Sequence, residues 1–104
     1  MSLRIVRHRK AKRDLLQAYV FIGEDNLDAA ERLLRAVNDD LRRLADMPGL
    51  GPVRESDNPK LAALRFLPVT GFRKYLLFYR ATSTTLELVR VIHGARDIDA
   101  ALDE

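Results

Sequence analysis

A long amphipathic stretch in the first half of the chain constrains the fold more than any other feature. Over residues 30–44, apolar residues recur every three or four positions and charged residues fill the positions between them. The apolar stripe consists of Ala30, Leu33, Leu34, Val37, Leu41 and Leu44. A helix of this kind has to bury its stripe, so the rest of the chain must supply an apolar surface.

A second helix precedes this one, because the helical period begins near Lys10. Its apolar face is formed by Ala11, Leu15, Ala18, Tyr19 and Ile22. We predict that Gly23 ends this helix and that the next three residues, Glu24 to Asn26, cap the following one. Met47, Pro48 and Gly49 end the longer helix. The short connection predicts an antiparallel helical hairpin.

Short runs of β-branched and aromatic residues predict four strands, at residues 3–6, 63–67, 74–80 and 86–93. Hairpin-sized turns are expected at 68–71 and 81–84, a loop at 48–60, and a short C-terminal helix after Arg96 with Asp97 as its cap. The order is β-α-α-β-β-β in a single α+β domain over residues 1–104. The helical hairpin should cover one face of a mainly antiparallel sheet, and the other face should stay solvated or meet a partner.

Composition excludes several classes of function. A chain of 104 residues without cysteine has no disulfide framework and no thiolate metal site. Two histidines cannot form a multi-histidine metal site, and the phosphate-binding and zinc-protease motifs are absent. The sequence contains no membrane-spanning run, and its basic N-terminus does not resemble a signal peptide. We therefore expect a cytoplasmic protein without a metal or cofactor.

Arginines and aromatic residues alternate through the predicted strands. Six basic residues lie on or beside these strands: Arg65, Arg73, Lys74, Arg80, Arg90 and Arg96. Several of them on one sheet face would suit RNA phosphates, with aromatic rings available for stacking. The same pattern also fits a solvated face above an aromatic core. His93, which precedes Gly94 at the end of the last strand, suits either proton transfer or a local hydrogen bond.

Three apolar residues of the first helix fall outside its core arc. Leu16 and Val20 lie about 100–140° from Leu15, and Phe21 lies on the opposite flank. They indicate either a broad seat in the core or a groove for an apolar segment of a partner.

Four segments of the chain carry a resemblance to a known family. They are the strand 4–6 with the helix that contains Asp14, the loop Pro48-Gly49-Leu50-Gly51, the segment GFRKYLLFYR at 71–80, and VRVIHGARD at 89–97. Together they resemble the ParE branch of the RelE/ParE toxin superfamily of bacterial type II toxin–antitoxin systems. The resemblance covers nearly the whole chain and implies the same β-α-α-β-β-β order.

The resemblance implies a toxin with an antitoxin partner and two alternative targets. ParE-like toxins inhibit DNA gyrase, whereas RelE-like toxins cleave messenger RNA on the ribosome. No tyrosine follows His93, and the tail after it is acidic, which would weaken RNA binding. We therefore expect inhibition of gyrase by binding. The alternative is a ribonuclease that uses Arg65, Arg73, Arg80 and His93, and a third possibility is a member without toxicity.

The resemblance also implies an antitoxin whose N-terminal part binds DNA and whose C-terminal segment folds on the toxin. We expect Leu16, Val20, Phe21, Arg73 and Arg80 to contact that antitoxin. Val20→Glu should weaken the complex by more than about 1 kcal/mol. Arg90 and Arg96 are the candidates for contact with the target. We expect no membrane contact and no direct binding of DNA by the toxin.

Overall fold

The computed structural model describes residues 2–59 and 61–104, and it confirms the order of elements that the sequence predicts. The elements are β1 (Arg4–Arg7), α1 (Arg9–Asp25), α2 (Leu27–Asp46), β2 (Arg65–Val69), β3 (Phe72–Ala81), β4 (Thr85–His93) and α3 (Ile98–Leu102). The predicted loop 48–60 separates α2 from β2, and its residue 60 lies outside the described residues. As predicted, Asp97 caps α3, because its carboxylate accepts a hydrogen bond from the backbone N–H of Ala100.

Asn26 joins the two long helices and breaks the chain between them. Its backbone is extended, its N–H bonds to the carbonyl of Ile22, and its side chain accepts a hydrogen bond from the N–H of Ala29 at 3.0 Å. The prediction that Gly23 ends α1 is wrong, since the helix continues to Asp25. One residue therefore ends the first helix and caps the second.

The sheet has the strand order β1-β4-β3-β2. β1 pairs with β4 in parallel, and the other two pairs are antiparallel. The turn predicted at 68–71 is shorter than expected, because Pro68 and Val69 belong to β2. Proline is tolerated there because β2 is an edge strand, and a register shift follows Pro68.

The sheet carries a core on each face. The larger core contains the apolar sides of α1 and α2 packed on Leu77, Leu86 and Leu88. On the opposite face, Leu61 and Ala101 pack against a second cluster around Phe78 and Ile92. The expectation that this second face stays solvated or meets a partner is wrong, because α3 and the segment before β2 cover it.

Candidate functional site

Arg90 lies at the centre of a buried ion cluster between α1 and β4. It is 2% exposed, and its Nε and Nη2 donate to the two carboxylate oxygens of Asp14 at 2.6 and 3.1 Å. One of those oxygens also accepts the backbone N–H of Val91 at 3.0 Å. The guanidinium further contacts the carbonyl of Ala101 and, at 3.2 Å, the carboxylate of Glu104. Arg90 therefore holds α1, β4 and the end of α3 together.

This cluster shifts the pKa values of its members. The hydrogen bonds to Asp14 raise the pKa of Arg90, against the lowering effect of burial. The hydrogen bond from Arg90 lowers the pKa of Glu104, and Arg96 adds to that effect. Arg90 was a candidate for contact with the target, and the structure contradicts that role because the side chain does not reach the surface. Arg96, the second candidate, is exposed.

A groove runs along α1 past the ends of β3 and β4. It consists of three connected clefts that share lining residues: Phe21, Tyr75 and His93 line both of the first two, and Gln17 and Arg96 line both of the last two. The first cleft is almost entirely apolar, with a volume of about 550 Å³. The last cleft is bordered by three basic residues, Lys10, Arg13 and Arg96, and by two acidic residues, Asp14 and Glu104. The groove is therefore apolar at one end and charged, with both signs, at the other.

Aromatic rings form the apolar end of the groove. The rings of Tyr75 and His93 face each other across β3 and β4 in an edge-to-face arrangement, with centroids 5.1 Å apart. Burial raises the pKa of Tyr75. The Nδ1 atom of His93 accepts the N–H of Ala95 at 3.1 Å, which leaves the proton of the neutral ring on Nε2. Phe21 projects from α1 with 69% of its surface exposed.

Arg73 and Lys74 form the cationic rim of the apolar end. Both side chains are exposed on β3, and neither forms an ion pair within residues 2–59 and 61–104. Of the four residues of the ribonuclease alternative, Arg73 and His93 thus lie at the same cleft. A ligand that placed an apolar side chain in this cleft could extend a carboxylate to either cation.

Arg65 and Arg80 lie elsewhere and have internal partners. The Nη1 atom of Arg65 donates to the carbonyl of Gly51 at 2.8 Å. Arg80 pairs with Glu87 at 3.4 Å, and Glu87 also contacts Nε2 of His8 at 2.9 Å. The hydrogen bond from His8, with the charge and hydrogen bond of Arg80, lowers the pKa of Glu87. Arg65 is thus bound to the loop before β2, whereas Arg80 forms an ion pair at the surface.

Distance along the strand separates the two pairs of ribonuclease candidates. Arg73 and Arg80 are seven residues apart on β3, which corresponds to about 23 Å in an extended strand. Side chains so far apart cannot hold one phosphate between them. The structure therefore brings together Arg73 and His93, and it does not bring together all four.

The three apolar residues predicted to contact the antitoxin divide into two groups. Phe21 lines the groove. Leu16 and Val20 are 63% and 51% exposed and line none of its three clefts. Because both side chains are exposed, the alternative that they are buried in a broad core is wrong. Helix geometry places Val20 about 100° around α1 from Phe21, so the helix presents two separate apolar surfaces.

The loop Pro48-Gly49-Leu50-Gly51 is fixed by one buried hydroxyl. The hydroxyl of Tyr79 donates to the carbonyl of Pro48 at 2.8 Å and accepts the N–H of Gly51 at 2.9 Å. A Cβ atom on Gly51 would lie 2.4 Å from the carbonyl oxygen of Phe66, so only glycine fits there. These motif residues stabilise the fold and do not border the groove.

Sequence reasoning gave no site role to Asp14 or Gln17, and it considered Phe72 and Tyr75 only among the aromatic residues that alternate with arginines on the strands. Asp14 gave one signal, because an acidic residue between Ala11 and Ala18 on a buried helical face needs a cationic partner. Within residues 2–59 and 61–104, no group of side chains is arranged to hold a metal ion. None of the helices there is both long and apolar enough to cross a membrane.

Comparisons with known proteins match the chain to a family model and to solved structures. The family model described as the ParE toxin of the type II toxin–antitoxin system, parDE, matches residues 5–98. A solved structure titled as the chromosomal ParDE toxin–antitoxin system from P. aeruginosa superimposes with a TM-score of 0.71 at 17% sequence identity. That match covers 88% of this chain and 96% of the other. A search of curated sequences gave no significant match.

Proposed function

The chain belongs to the family of ParE toxins of type II toxin–antitoxin systems, and we propose that it acts by binding and inhibiting DNA gyrase. The observation that carries this proposal is the separation of the basic residues on the sheet. Two of the four candidate catalytic residues, Arg65 and Arg80, are occupied by internal contacts far from the other two. The surface that remains open is suited to binding.

Cleavage of RNA would require more than the groove provides. Such a site needs a base, an acid and a cation that stabilises the charge developing on the phosphate. The apolar end of the groove contributes His93 and Arg73. The hydroxyl of Tyr75, whose pKa is raised by burial, is a further polar group there. A single imidazole without a second proton-transfer group of suitable pKa favours the binding function over the ribonuclease alternative.

We further propose that the antitoxin occupies the groove with an acidic, amphipathic segment. An apolar side chain of the antitoxin would fill the cleft beside Phe21 and Tyr75. Its carboxylates would reach the unpaired Arg73 at one end and would compete with Glu104 for Arg96 at the other. The segment would gain both apolar burial and charge neutralisation. Because the proposed target, gyrase, is a cytoplasmic enzyme, we also propose that the protein acts in the cytoplasm.

A supercoiling assay tests the proposed target. Purified toxin should inhibit gyrase, and a stoichiometric amount of the antitoxin should restore supercoiling. A cell-free translation reaction provides the parallel readout, and we expect translation to continue at toxin concentrations that stop supercoiling. Supercoiling unaffected by excess folded toxin would contradict the proposal. Translation arrest that Arg73→Ala abolishes would establish the ribonuclease instead.

A further inference from the structure

A second apolar surface of α1 lies outside the groove. Lys12, Leu16, Val20 and Glu24 follow one another at intervals of four residues, and all four side chains are exposed. Residues at this spacing form one continuous ridge along the surface of a helix. The ridge therefore has two apolar residues at its centre, a cation at one end and an anion at the other. We refer to these four residues as the outer ridge.

Within residues 2–59 and 61–104, no side chain covers the apolar part of the outer ridge or pairs with its charges. More than half of the surface of Leu16 and of Val20 is exposed. Neither Lys12 nor Glu24 forms an ion pair or a side-chain hydrogen bond in the part of the chain that the structure describes. Neighbouring exposed apolar side chains flanked by charges are typical of an interaction surface.

The charges around the outer ridge are segregated along the helix axis. The chain contains six basic residues and no acidic residue before Asp14: Arg4, Arg7, Arg9, Lys10, Lys12 and Arg13. At the other end, around the tip of the hairpin, four acidic residues occur without a basic one: Glu24, Asp25, Asp28 and Glu31. The helix is thus basic at its start, apolar at its middle and acidic at its end.

We propose that the outer ridge binds the same ridge of a second copy of this chain, with the two α1 helices antiparallel across a two-fold axis. In this arrangement the two-fold axis passes beside residue 18. Each ridge residue therefore faces the residue of the second copy that lies equally far on the other side of position 18. Leu16 then meets Val20 of the second copy, and Lys12 meets Glu24 of the second copy, twice over by symmetry. Packing of two such four-residue ridges is the commonest helix-pair geometry.

Charge complementarity selects a second copy over other occupants. A partner protein could match the ridge in many ways, whereas an identical, antiparallel helix pairs each end of the ridge with its opposite charge without any further requirement. Phe21 and the groove lie about 100° away around α1, so the groove remains available to the antitoxin in the dimer. The inference does not depend on gyrase as the target. A single helix pair buries little area, so the dimer should be weak.

Sedimentation velocity of the full chain over a wide concentration range tests the proposal. The wild type should sediment as a monomer at low concentration and as a dimer at high concentration. Lys12→Glu and Glu24→Lys should each weaken dimerisation about tenfold, because each replaces two attractive contacts with two repulsive ones. The double variant K12E/E24K should restore it, because the two charges exchange places. Arg35→Glu changes the net charge as much as Lys12→Glu and should have no effect.

Three results would overturn the proposal. The first is a wild-type chain that stays monomeric at every concentration. The second is a double variant that dimerises no better than the single variants, since that would show that Lys12 and Glu24 do not face each other. The third is a Val20→Glu variant that dimerises like the wild type but loses affinity for the antitoxin, which would assign the ridge to the antitoxin. All the substituted side chains are exposed, so the variants should fold.

Discussion

Arg90 and Arg73 lie on neighbouring strands, yet their environments are opposite. Arg90 is buried and uses its guanidinium on Asp14, Ala101 and Glu104. Arg73 is exposed on the rim of an apolar cleft and has no ion-pair partner in the described residues. A cation with internal partners holds the fold together, and a cation without them is free to bind a ligand. Substitutions can test this division directly.

The largest expected effect is the loss of stability when the buried ion pair of Arg90 and Asp14 is broken. Arg90→Ala leaves the carboxylate of Asp14 buried without its partner, which should lower the free energy of unfolding by about 3–5 kcal/mol. Urea denaturation measures the change. Arg73→Ala is the matched control and should change stability by less than about 0.5 kcal/mol. Similar losses for both variants would end the distinction between the two arginines.

The second-largest loss of stability is expected for Tyr79→Phe. Tyr79→Phe removes a hydroxyl that serves both Pro48 and Gly51, so one buried donor and one acceptor lose their partner. We expect a loss of about 1–3 kcal/mol in the free energy of unfolding. Tyr75→Phe in the groove is the control, because its hydroxyl has no hydrogen bond within the described residues. If the control lost as much stability as Tyr79→Phe, the assignment of structural and binding tyrosines would be wrong.

For affinity towards the antitoxin, we expect an exposed residue of the groove to matter although it contributes little to stability. Phe21→Ala should weaken the complex by about 1–2 kcal/mol while leaving unfolding unchanged, because an exposed ring at a groove contributes to binding and not to the core. Calorimetric titration with the antitoxin measures this loss. Leu27→Ala also shortens an exposed apolar side chain, but outside the groove, and should bind normally. Equal affinities of the wild type and Phe21→Ala would remove the groove from the interface.

The smallest expected effect is a pH dependence of the stability that Glu87 contributes through its contacts with His8 and Arg80. Because the hydrogen bond from His8 and the contact with Arg80 lower the pKa of Glu87, its ionised form stabilises the folded state. This contribution is complete above the pKa that Glu87 has in the unfolded chain, and it disappears as the pH falls through the lower, folded-state value. Glu87→Gln should therefore be slightly less stable at neutral pH, and its deficit should vanish in acid. A deficit independent of pH would contradict this cause.

The sequence predicts the fold well because the fold depends on periodic patterns. The stripe of α2, the core face of α1 and the alternation in β3 and β4 each require a partner surface, and few arrangements supply it. The prediction for the end of α1 failed because it depends on a single residue. Asn26, not Gly23, divides the helices, since its side chain caps one helix while its backbone ends the other.

The candidate site was less predictable because it depends on which charges are paired. Arg65, Arg73, Arg80 and Arg90 look equivalent along the sequence, but only the three-dimensional structure shows that three of them have internal partners. The groove itself combines α1 with the ends of two strands that are more than fifty residues away in the chain. No local pattern encodes such an arrangement.

The most direct test of the central claim is pulse labelling of DNA and protein synthesis in bacteria after the toxin is induced without its antitoxin. If the protein acts on gyrase by binding, DNA synthesis should fall first while translation continues, and His93→Ala should behave like the wild type. If translation falls first, and His93→Ala or Arg73→Ala prevents that fall, the groove is a ribonuclease site and the proposed function is wrong.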